Sequence, residues 1–131
     1  MSIFPTNFLQ KTLNCTKWTG CTEEAIRYYP NLLTTRMIVM PFMVEKHHSV
    51  IVMVNPLGVL DDDYAERGLS FMMLLDPSGN PKKKLSARIA PRLRLFLKHL
   101  TLRHKVNKTG RSFTLKTFKL YTPRGEFFAR L

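Results

Sequence analysis

Two histidines and an aspartate are the residues of this chain best placed, by type and spacing, to move a proton. His47 and His48 open an apolar run, His47-His48-Ser49-Val50-Ile51-Val52-Met53-Val54, and Asp76 closes another, Phe71-Met72-Met73-Leu74-Leu75-Asp76. An imidazole at one strand edge and a carboxylate at another are the base and the orienting acid of a nucleophilic triad. The third member would be a thiol or hydroxyl activated by that base. No cysteine follows Asp76, and the two the chain has, Cys15 and Cys21, precede both residues. Taken singly, a strand-edge histidine is most often a surface residue, and an aspartate before Pro-Ser is a common turn residue. Two adjacent histidines without a third ligand nearby fall short of a zinc site.

The elements that would carry these residues are legible from periodicity. Asn7 or Thr6 caps a predicted short helix over 8–13, with Phe4, Phe8, Leu9 and Leu13 as its apolar members. Gly20 and several threonines make 14–22 read as a loop around Trp18, and Thr22-Glu23-Glu24 opens a second helix that ends before Pro30. Continuously apolar stretches predict strands at 35–43, 48–54 and 69–75. Between the last two lies an acidic loop, Asp61-Asp62-Asp63 with Glu66, whose spacing matches no calcium loop and reads as a solvated tip. Pro77-Ser78-Gly79-Asn80-Pro81 is a strong turn signal. From Lys82 the period becomes helical through Leu85, Ile89, Leu93, Phe96, Leu97 and Leu100, with Pro91 predicted either to kink that helix or to start its regular part. Alternation over 113–121 predicts a final strand. Helices and strands in this order indicate an α+β or α/β layered domain.

Composition narrows the classes. The 131 residues are 44% hydrophobic and 11% aromatic, a globular profile. No apolar run is long enough to span a bilayer, and the N-terminus has no secretory pattern, so an intracellular setting, nucleus or cytoplasm, is expected, with Cys15 and Cys21 as thiols. Charge is lopsided. Residues 1–79 hold 6 Lys/Arg and 8 Asp/Glu, whereas 80–131 hold 15 Lys/Arg and one acid, within a total of +12. Such asymmetry marks a surface for an acidic partner or nucleic acid, or simply a solvated basic face.

The His–Asp arrangement resembles the ubiquitin-like-protein-specific cysteine proteases, the SUMO-protease family. There an apolar strand ends in Val/Ile-Pro, and the catalytic His follows six residues after the Pro; here Val39-Met40-Pro41 leads to His47 with that spacing. The family's Trp after the His is replaced by His48, and its Asp-Ser strand end becomes Asp76-Pro77-Ser78. The amphipathic helix that follows matches 82–104, and the short Phe-containing helix and Trp upstream match 4–13 and Trp18. With His47 as the base, Val50, Val52 and Met53 fall where the family buries apolar residues. The resemblance covers residues 4–124 and implies a partial papain-like cysteine protease fold, a central sheet of about four strands flanked by helices, in a single domain that is incomplete. It implies His47 as general base and Asp76 as orienter, no cofactor or metal, and a ubiquitin-like modifier or its conjugate as partner.

The pattern then departs from the family. Gly125 stands where a Gln of the oxyanion hole is expected, and 126–131 contain no Asp-Cys-Gly. Cys15 and Cys21 do not substitute: a papain-like order would place the Cys first, but far further from the His and at a recognisable helix start. The implied function is a cysteine-type peptidase domain for ubiquitin-like conjugates without its nucleophile. Two other classes stand beside it: a catalytically inactive module that binds a ubiquitin-like protein, and, ranked last for want of an aromatic-interleaved basic motif, a nucleic-acid-binding protein. No membrane partner is expected.

Overall fold

The apolar runs of the sequence pair edge to edge into one mixed sheet. The computed structural model describes residues 2–32, 34–44, 47–61, 70–76, 83–106 and 110–123. In chain order the elements are β1 (Ser2–Ile3), α1 (Phe8–Leu13), α2 (Trp18–Tyr28), β2 (Met37–Val44), β3 (His47–Val54), a 3-10 turn (Pro56–Leu60), β4 (Phe71–Leu75), α3 (Lys83–Arg103) and β5 (Lys119–Tyr121). The sheet order is β1-β2-β3-β4-β5, with β2, β3 and β4 antiparallel and the outer strands parallel to their neighbours. The architecture is the expected α+β layer, with the two-residue β1 and three-residue β5 extending a three-strand meander. Parallel pairing of β4 with β5 needs a long crossover, and α3 supplies it.

Strand alternation sorts the meander into two faces. Ile38, Met40 and Phe42 of β2, Ile51 and Met53 of β3, and Met72 and Leu74 of β4 are all buried on one face. Against it lie Ile89, Leu93, Phe96, Leu97 and Leu100 of α3, together with Leu9 of α1 and Ala25 of α2. Phe4 ties the layers, stacking on Tyr29 at 3.9 Å and meeting Phe8 edge-on at 4.4 Å. Pro41 sits in β2 beyond Ile38 and Val39, the residues paired with β1, where a missing N–H is tolerated.

Four expectations are corrected. First, α2 begins at Trp18, not after Thr22. Trp18 stacks on His99 at 5.3 Å and lies 4.6 Å beneath the Arg92 guanidinium, and these tertiary contacts override the weak helix propensity of Gly20 and the threonines. Second, the strand expected over 113–121 is reduced to Lys119–Tyr121. Thr114 N donates to Thr117 Oγ1 (2.8 Å) and Thr117 Oγ1 donates to Ser112 O (2.6 Å), so side chains take the backbone partners a ladder would need. Third, of the two alternatives at Pro91, a start of the regular helix there is overturned: α3 runs from Lys83 through Pro91 to Arg103. Pro91 is exposed, and the buried residues on either side hold the helix against the sheet. Fourth, Cys15 and Cys21 are not thiols but a disulfide. The turn from α1 into α2 brings their Cα atoms to 6.6 Å, within bridging range. Most of the acidic stretch 61–68 and the 77–81 turn lie outside the described residues.

Candidate active site

The antiparallel pairing of β3 with β4 brings the start of one strand to the end of the other. Val50 pairs with Leu75, so continuing the register by one pair sets Asp76 opposite Ser49, with position 47 one step diagonal to it. Diagonal neighbours are about 7–8 Å apart between Cα atoms, a span that long and aromatic side chains bridge. Position 47 shares the strand face of Ser49, Ile51 and Met53, whereas position 48 shares that of Val50 and Val52 and is exposed. Strand parity thus distinguishes the two histidines and puts position 47, the one the resemblance favours, on the face of Ser49.

Asp76 is 3% exposed. A carboxylate held so far from water needs partners to stay ionised, and Asp76 does interact with its surroundings. Ser49, opposite it, is equally buried, yet its Oγ has no hydrogen-bond partner among the described residues. Sequence reasoning missed Ser49. Its signal was there: a polar residue at the strand parity of Ile51 and Met53, where the pattern calls for an apolar one.

No thiol joins this pair. Cys15 and Cys21 are consumed by their disulfide and sit at the α1–α2 corner. The Arg92 guanidinium fastens that corner to α3, donating to Cys15 O and, at 3.4 Å, to Thr12 O. The stretch 124–131, where the family resemblance would place its Gln and Asp-Cys-Gly, lies outside the described residues. Among the described residues, no cluster of three or more His, Cys, Asp or Glu is arranged to hold a metal.

A cavity of about 320 Å³ opens between α1 and α2, lined by Phe8, Lys11, Cys21, Glu24, Tyr28 and Tyr29 among others, and Asp76 is not part of its wall. Burial pushes the Tyr29 phenol above its ordinary range, against the opposing pull of Lys11. Arg94, buried on α3, donates Nε–H to Phe118 O at 2.9 Å, and desolvation lowers its affinity for the proton. That bond anchors the turn leading into β5 and hence the edge of the sheet beside β4. No helix of the described residues is long and apolar enough to cross a membrane.

No known family model matches this sequence, and no curated protein does. Among solved structures, the chain is similar to that of a de-sumoylating protease, with a TM-score of 0.58 and 13% identity over 92% of this chain and 42% of that one. The chain therefore spans less than half the length of the protein it matches. At that identity the likeness is one of fold: the sheet and helices that carry His47 and Asp76 are arranged as in a papain-like cysteine protease.

Proposed function

We propose that the chain is a cysteine-peptidase-like domain for ubiquitin-like modifiers that keeps the base and its orienter, His47 and Asp76, without the nucleophile. The observation that carries this reading is the register, which sets the first residue of β3 and the buried acid after β4 at one end and on one face of the sheet. The de-sumoylating protease among its structural neighbours supports a ubiquitin-like partner in general. In a complete site the imidazole takes the thiol proton, and the carboxylate fixes its tautomer and stabilises the cation formed. Here no thiol is available, because both cysteines of the chain are tied in one disulfide. Loss of a triad nucleophile lowers turnover by on the order of a millionfold. The activity expected of these residues is therefore binding without cleavage.

The test pairs two measurements. A ubiquitin-like modifier bearing a thiol-reactive C-terminal group is expected to leave the chain unlabelled. The same modifier immobilised on a sensor is expected to retain it, with affinity unchanged by His47→Ala. Labelling at Cys15 or Cys21 would refute the missing nucleophile, and failure to bind any ubiquitin-like modifier would refute the partner.

A further inference from the structure

Helix α3 carries seven Lys/Arg between Lys83 and Arg103 and no acidic residue. A solvated helix face ordinarily interleaves both signs, and like charges four residues apart, as in Arg88/Arg92 and Arg94/Lys98, destabilise it. Some of these cations are used within the fold. Arg92 binds the Cys15 carbonyl and covers Trp18, Arg94 binds Phe118 O, and Arg103 pairs with Glu23. Arg88, Lys98 and Lys105, the last in the turn that ends the helix, are exposed and have no side-chain partner among the described residues.

Two leucines share that outer side. Leu95 and Leu102 are 38% and 53% exposed and lie two turns apart, hence on one line along the helix. Arg88 continues that line two turns before Leu95, and Lys98 flanks it. Local rules are broken here in two ways at once, by unpaired like charges and by exposed leucines, and such departures gather where a surface has a task.

We infer that the outer stripe of α3, Arg88-Leu95-Lys98-Leu102, is a docking surface for an acidic polypeptide segment with apolar anchors along one face. Charge complementarity selects the occupant: no acid of α3 or of residues 104–123 offsets these cations. The leucines select a polypeptide over a nucleic acid, whose readers present aromatic or hydrogen-bonding groups to bases. They also disfavour a bilayer, because the large apolar face of α3 is spent on the core and the outer one offers only two leucines. This surface is independent of His47 and Asp76.

The test is fluorescence anisotropy with a labelled Glu-rich peptide carrying leucines at heptad spacing, and with its Leu→Ser counterpart. The leucine peptide is expected to bind, more weakly as salt rises. It should lose about tenfold or more in affinity to the Leu95→Ser/Leu102→Ser variant, as should the serine peptide to the unaltered chain. Arg88→Glu/Lys98→Glu should abolish binding, with circular dichroism confirming that both variants fold. The inference is overturned if the leucine peptide does not bind, or if the leucine variant leaves its affinity unchanged. It is equally overturned if a labelled oligo-dT or phosphatidylserine vesicles bind more tightly than the peptide, or if concentration-dependent self-association buries the leucines instead.

Discussion

Replacing Ser49 by alanine is expected to stabilise this fold. Ser49 is 3% exposed, faces the core side of β3 opposite Asp76, and its Oγ has no hydrogen-bond partner among the described residues. A buried hydroxyl without a partner costs about 1–3 kcal/mol of desolvation. Alanine keeps the Cβ and removes only the oxygen, leaving a void of about 20 Å³ that returns about 0.5 kcal/mol as cavity cost. The net gain is then about 0.5–2.5 kcal/mol. In a domain of this size about 1 kcal/mol moves Tm by roughly 3–5 °C, so a rise of about 2–12 °C is expected. Thermal melts followed by circular dichroism, with a urea midpoint at unchanged slope, measure it. The same gain is expected in an Asp76→Asn background, since the Ser49 hydroxyl makes no bond to Asp76 among the described residues. A fall in Tm of several degrees, or a gain that vanishes with Asp76→Asn, would show instead that the Ser49 hydroxyl donates to the Asp76 carboxylate.

Two further outcomes are expected. The Cys15–Cys21 bridge, at a sequence separation of 6, closes a short ring, and its loop entropy is worth about 2.4 kcal/mol. Reduction, or Cys15→Ser with Cys21→Ser, should therefore lower Tm by roughly 10 °C, and an unchanged melt would deny the bridge. The Tyr29 phenol is held above its usual value of 10.0 by burial. Its neutral form is the one the fold favours, so its contribution is complete below about pH 10 and is lost as pH rises through the higher folded value. The alkaline loss of stability should be shallower in Tyr29→Phe, as read from urea midpoints across pH.

What could be read from the sequence followed physical scale. Where local pattern and tertiary packing agree, the elements were legible: α1 at Phe8–Leu13, β2 and β3 within two residues, and α3 at Lys83–Arg103 from the spacing of Ile89, Leu93, Phe96 and Leu100. Elements held by distant partners were not. The first turn of α2 depends on Trp18 meeting Arg92 and His99, which lie far along the chain. The start of β5 was misjudged because Thr114 and Thr117 bond locally rather than across a ladder. The disulfide was missed because the expectation of thiols rested on compartment, whereas bridging depends on the corner geometry between α1 and α2. At the candidate site, strand order made the histidine pair and Asp76 visible. The choice between His47 and His48 by strand face needed the register, and the buried hydroxyl of Ser49 needed the face that the register defines.

The proposed pairing of His47 with Asp76 can be tested by 15N NMR of the histidine ring nitrogens. An orienting carboxylate accepts a hydrogen bond from Nδ1–H and leaves Nε2 free as the base. The expected spectrum of the unaltered chain shows His47 held in the Nδ1–H tautomer and His48 in the ordinary mixture, and Asp76→Asn returns His47 to that mixture. A His47 ring that shows the mixture from the start, indifferent to Asp76→Asn, would contradict the assignment of base and orienter on which the functional reading stands.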